Sequence, residues 1–286
     1  MIGERAYINL VKKIIKSGKR ELGRNGETKV CIGESMRFSL KNNRIPLLTT
    51  KKMAWKTCLR ELLWFINGDT DNANLQKEHV NIWNANGSRD FLDARGLQQR
   101  KKNDLGPIYG FQWRHFGDKY IDANSKYEGT DQLQMIVDQL KKRKDNRRLI
   151  MSAWNPTQLD EMALPPCHIL SQFHITNGRY LSCSLYQRSA DIGLGVPFNI
   201  ASYSFLTNLL AHHCSLEPYE LVHFIGNAHI YKDHLEVLEE QTEKKIYPPP
   251  TLKINKKRED IGSYNVNDFK ILNYWCGPKI PMKMRI

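Results

Sequence analysis

A cysteine and an arginine stand out as able to do chemistry together, and a glutamate stands out by its place in an apolar run. Cys167 follows Pro165 and Pro166 in LPPCHILSQF, just ahead of a stretch that reads as a strand. The two prolines fix φ and offer no backbone donor, so the chain leading into the thiol has few conformations. A nucleophilic cysteine also needs its thiolate, which a neighbouring cation favours. Arg188, 21 residues later in LYQRSADIG, supplies that charge if the strands between them pair antiparallel. Taken alone, this segment also admits an inert core cysteine. Glu61 lies in KKMAWKTCLRELLWFINGDT, where apolar positions 55, 58, 59, 62, 63 and 66 predict a helix that stops near Gly68. A carboxyl in so apolar a run has its proton affinity conditioned by its surroundings. The competing reading is a surface acid beside Arg60.

The elements that must hold these groups are partly legible. Residues 7 to 15 place Tyr7, Leu10, Val11, Ile14 and Ile15 on one helical face. SGKRELGRNGET reads as a basic loop, and TKVCIGESMRFSL as the strand it enters. Positions 79 to 122 read as long aromatic loops of the kind that shape sites. DQLQMIVDQLKKRKDNRR returns to a helical period and ends in a basic cluster, for which a solvated helix terminus is the plain reading. Strands follow in RLIMSAWNP, HILSQFHIT and YLSCSLYQRS, then a buried helix in SYSFLTNLLAHHCSL and a further strand in LVHFIGNAHIY. No repeat, low-complexity segment or linker interrupts this order, so one α+β domain over residues 1–286 is expected.

Bulk properties narrow the partners. A formal charge of +13 attracts polyanions or phosphorylated small molecules. Six cysteines without a CxxC pair argue against a metal knuckle or redox motif, so no metal is expected and a reducing, cytoplasmic setting is. The N-terminus lacks the apolar core of a signal peptide. Residues 192 to 216 carry no formal charge and are long enough to raise a membrane span. Pro197, Asn199, Asn208 and the His212–His213 pair are costly in lipid, so burial in a water-soluble core is the expectation and no membrane partner is.

Other segments carry a resemblance. PLLTTKK, ELLWFINGDT, NGSRDFLDARG, GPIYGFQWRHFG, ALPPCHILSQF, LYQRSADIGLGVPFNIASYSFLTNLLAHH and NAHIYKDH, in that order from about residue 20 to the C-terminus, closely resemble the thymidylate synthase family. The resemblance implies an α+β fold around a twisted mixed β-sheet with surrounding helices, and a homodimer joined sheet to sheet. It also implies reductive methylation of dUMP by 5,10-methylenetetrahydrofolate. Uracil C5 is a poor nucleophile until covalent attack at C6 pushes electrons into the ring, and a thiolate suits that attack because it can later leave. Cys167 takes that role by similarity and by chemistry.

Residue by residue, the resemblance implies that Glu61 and Tyr109 organise proton transfers around the pyrimidine. Trp83 would flank the cosubstrate, or be only a buried structural tryptophan. Arg24, Arg188 and Ser189 match the phosphate clamp, with Arg147 and Arg148 donated across the dimer interface; the planar arginine fork suits phosphate oxygens. Asn199 reads the base, since its amide can donate to O4 and accept from N3–H if neighbours pin its direction. Gln187 supports the pyrimidine site, and His229 and Tyr231 match the pair at the sugar hydroxyl. Asp191, Leu194, Gly195 and Phe198 match folate-side contacts. Two places depart from the family pattern: Asn227 stands where an aspartate is usual, and Arg285 and Ile286 end the tail, which puts its closure over ligands in question. A nucleotide hydroxymethylase, a catalytically silent homologue and a secondary RNA-binding role remain as alternatives; no RNP, KH or zinc motif supports the last.

Overall fold

Chain order and residue chemistry together explain why the sheet is assembled from distant segments. The computed structural model describes residues 3–23, 25–143 and 146–285. Helix α1 (Glu4–Ser17) buries Tyr7, Leu10, Val11 and Ile14 on one face, as the periodicity predicts. The segment read as a basic loop is instead mostly strand: β1 (Lys19–Gly23) forms a hairpin with β2 (Gly26–Ser39). All five β1 residues are exposed, so no apolar alternation marks it.

Helix α2 (Trp55–Ile66) buries Cys58, Leu59, Leu62 and Leu63 through Ile66. The stretch read as aromatic loops contains α4 (Arg89–Ala94) and α5 (Tyr109–His115), after α3 (Asn72–Lys77). Each is too short to show a helical period. Asp71 and Ser88 cap α3 and α4 by accepting from Ala73 N and Phe91 N. Helix α6 (Gln132–Lys141) leads to β3 (Ile150–Ser152), β4 (His168–Thr176) and β5 (Tyr180–Asp191).

Helix α7 (Gly195–His213) is buried along almost its whole length, which settles the uncharged run as a core helix wrapped by the sheet. No described helix is long and apolar enough to cross a membrane. Strand β6 (Glu217–Tyr231) follows, then α8 (Leu235–Thr242) and the small antiparallel pair β7 (Thr251–Ile254) and β8 (Phe269–Leu272).

The main sheet runs β1-β2-β6-β5-β4-β3. It is mixed: β5 and β6 are parallel and the other neighbours antiparallel. Parallel neighbours require a crossover, and α7 is that crossover. One sheet face packs on helices, with Cys183, Leu185 and Ile225 buried. On the other face Leu170, Tyr186 and Phe224 lie side by side in register, and Tyr186 and Phe224 remain 42% and 44% exposed.

Candidate active site

The antiparallel pairing of β4 and β5 brings Arg188 to the thiol, because His168 lies opposite Gln187. Arg188 N donates to Cys167 O at 2.9 Å. Its guanidinium Nε donates to Pro166 O at 2.8 Å and Nη2 to Pro165 O at 3.1 Å. The prolines therefore stiffen the approach to Cys167 and also present the carbonyls that hold Arg188 beside it. The Arg188 guanidinium also lies over the Trp154 ring, 5.5 Å from its centroid. Burial pushes the Cys167 thiol pKa up, and the Arg188 charge pulls it back in part. Cys167 as a whole stays partly exposed.

Tyr109 opens α5, and its hydroxyl accepts from Cys167 N at 2.7 Å. Burial drives its pKa well upward, so the hydroxyl keeps its proton and can donate it in a hydrogen bond. Its ring stacks on His168, with centroids 4.1 Å apart and planes at 17°. Trp83 meets Tyr109 edge-on and donates its indole N–H to Glu61 Oε1 at 2.8 Å. Burial raises the Glu61 carboxyl to about 7, and the indole hydrogen bond opposes that rise. Arg60 does not pair with Glu61; it reaches Glu78 at 3.2 Å. Trp83 is 6% exposed and bonded to the carboxyl.

The N-terminal turn of α7 carries Gly195, Phe198 and Asn199, with Leu194 just before it. Leu194 and Phe198 are partly exposed. Asp191 closes the preceding turn by accepting from Gly193 N at 2.9 Å through Oδ1. Gln187 Nε2 donates to Asn199 Oδ1 and to Ser189 O, both at 2.9 Å. Asn199 is therefore pinned through its Oδ1.

Arg188, Ser189, Asn227, His229 and Tyr231 line one open cleft of about 380 Å³. His229 Nδ1 lies 3.0 Å from Asn227 Oδ1, and burial lowers the His229 pKa. At the tail, Arg285 pairs with Asp233 and lies over the Tyr231 ring at 5.5 Å. Its charge is thus engaged at the rim of this cleft. Arg24 and Ile286 lie outside the described residues. Arg147 and Arg148 are exposed, beside the β3 edge, and do not line this cleft.

Sequence reasoning passed over His168, Tyr203 and Trp154. His168 Nδ1 lies 2.9 Å from the Tyr203 hydroxyl, and burial lowers His168 to about 3, so the imidazole stays neutral. Its position directly after Cys167 was the one available signal.

A held thiol beside a guanidinium, a carboxyl poised near neutrality and a pinned amide, all on a mixed-sheet α+β frame, make an arrangement suited to nucleophilic thiol chemistry. The sequence model described as Thymidylate synthase matches residues 5–286. A putative bifunctional dihydrofolate reductase-thymidylate synthase of Oryza sativa subsp. japonica is 52% identical over 99% of this chain and 58% of its own length. The bifunctional dihydrofolate reductase-thymidylate synthase of Leishmania major is 47% identical over 99% of this chain and 55% of its own. The thymidylate synthase of Homo sapiens is 49% identical over 99% of this chain and 91% of its own. The chain belongs to the thymidylate synthase family. It spans 50% to 58% of the length of the first bifunctional relatives it matches.

Proposed function

We propose that the chain converts dUMP to dTMP, with 5,10-methylenetetrahydrofolate as cosubstrate. The observation that carries the reading is the meeting of Cys167, Arg188 and the pinned Asn199 on β5, its antiparallel neighbour and the helix that follows.

In this reading Cys167 Sγ bonds to uracil C6, and the C5–C6 electron pair moves toward C5 and O4. The Asn199 amide donates to O4 and so stabilises the charge that develops there. Tyr109, which keeps its proton, orients the hydrogen-bond chain near the nucleophile, and Glu61, poised at about 7, exchanges protons with it at neutral pH. Arg188, Ser189, His229 and Tyr231, with Arg24, receive the phosphate and sugar.

The residues on the other side suit a pterin. Leu194, Phe198 and Trp83 offer apolar surface, Gly195 keeps the helix start free of a side chain, and Asp191 has an oxygen beyond the one spent on Gly193. When bound there, the folate would supply the one-carbon unit and the reducing hydride and leave as dihydrofolate. C5 gives up its proton to a base, and the C6–S bond breaks to release the Cys167 thiolate. Trp83 and the docked tail keep water from that space.

The same reading includes a homodimer. Leu170, Tyr186 and Phe224 form an apolar row on the open sheet face, and Ile150 adds to it at 44% exposure. A contiguous exposed apolar face of this kind suits a self-complementary partner. Exposed Arg147 and Arg148 next to that face fit donation to the other copy's phosphate.

Incubation with 5-fluoro-dUMP and methylenetetrahydrofolate tests the reading. A denaturation-stable adduct in the parent and none in Cys167→Ser is expected, with a methyl group on the product made from dUMP. A hydroxymethyl product, or an adduct that persists in Cys167→Ser, would reject it.

A further inference from the structure

We infer that His223, buried behind the cleft on β6, is a positioning residue that sets base choice by fixing the direction of two amides. The inference rests on the proposed reading of Asn199 as the base reader. The chain of contacts runs His223 Nε2 to Gln187 Oε1 at 2.9 Å, Gln187 Nε2 to Asn199 Oδ1 at 2.9 Å, and Gln187 Nε2 to Ser189 O at 2.9 Å.

Ser189 O is a main-chain carbonyl and can only accept, so the Gln187 end beside it is the amide nitrogen. The other end, Oε1, then faces His223. Two acceptors do not share such a contact, so His223 carries its proton on Nε2. Among the described residues none reaches His223 Nδ1, which is tolerable for a bare nitrogen and poor for a buried N–H. His223 is fully buried, and burial lowers it to about 3, so the ring stays neutral.

The direction matters because uracil and cytosine present reversed donors and acceptors to one amide. With Oδ1 held by Gln187, Asn199 keeps its NH₂ group for uracil O4. To suit cytosine, Asn199 would have to turn its NH₂ onto the NH₂ of Gln187. Gln187 would then have to turn as well, setting oxygen against Ser189 O and NH₂ against the His223 N–H. The penalty for the wrong base thus passes back to a histidine that does not line the cleft.

Two measurements test this. In ¹⁵N-histidine spectra, the His223 signals, assigned by their loss in His223→Gln, are expected to report a neutral Nε2–H ring at pH 7. An Nδ1–H ring would overturn the inference without recourse to any variant's fold or activity. By calorimetry, His223→Leu is expected to lower the dUMP-over-dCMP binding ratio about tenfold, the scale of one hydrogen bond. His223→Gln, which returns a donor near the Nε2 position, is expected to restore the ratio. Equal loss of both nucleotides in a folded His223→Leu, or no recovery in a folded His223→Gln, would show a merely structural role and overturn it. Failure of the parent to bind dUMP would instead sink the reading of the site, while the histidine spectrum still decides the relay.

Discussion

Glu61 shows how a single burial event sets both stability and chemistry. Its carboxyl rises from an ordinary 4.5 to about 7 because it is buried, and the Trp83 N–H offsets only part of that. In the folded state it therefore holds its proton where the unfolded chain has released it. The stability this contributes is complete below 4.5 and is lost as pH rises through about 7. Glu61→Gln should therefore match the parent's melting temperature near pH 4 and exceed it near pH 8, as thermal unfolding across that range will check. The same variant should lose about 10²–10⁴-fold in turnover, the usual contribution of a placed acid or base. Of these groups, Cys167 was legible because two prolines and a strand mark it. Glu61 was half legible: the periodicity placed it on α2, but nothing local could show that its partner is Trp83 rather than Arg60. His168 offered only its place next to Cys167, since its significance comes from Tyr109 stacking on it across 59 positions of chain.

At the scale of elements, α7 is the piece that carries the proposed base reader. Its first turn carries Phe198 and Asn199, while its body is packed on all sides, with Leu206 and Leu209 fully buried. Leu209→Ala should cost about 2–5 kcal/mol in urea unfolding, the range for a large side chain removed from a packed core. A cost under about 0.5 kcal/mol, ordinary for a surface change, would contradict that packing. The elements were legible in proportion to their burial and length. HILSQFHIT and the core of α7 announce themselves because long apolar stretches constrain the choice. β1, α4 and α5 do not, because β1 is exposed and the two helices are too short to show a repeating face, α4 starting on its Ser88 cap and α5 having no side-chain cap. The hairpin role of KRELG becomes visible only when β2 lies beside it.

At the scale of the whole molecule, the proposed dimer makes each site a joint product. A Cys167→Ser chain and an Arg147→Ala/Arg148→Ala chain should each be nearly inactive. Mixed under conditions that allow exchange, they should regain activity, because a mixed dimer holds one site with an intact thiol and both arginines. Steady-state assays before and after exchange check this. Phe224→Asp should yield a monomer by sedimentation, since a carboxylate in the middle of the apolar row opposes closure. No such face could be read from the sequence, because alternation along each strand does not say which side helices will cover.

The pairing of β2 with β6 has a consequence for how the protein is made. Thr28 must find Tyr231, so the pairing edge of β2, and the apolar Val30, Met36 and Phe38 that the strand carries, emerge from the ribosome some 200 positions before the neighbouring strand. At about 5–20 residues per second the nascent hairpin waits roughly 10–40 seconds with that edge unsatisfied. Synthesis therefore exposes a sticky two-stranded hairpin, and cells that make this chain in quantity should depend on holding chaperones during translation.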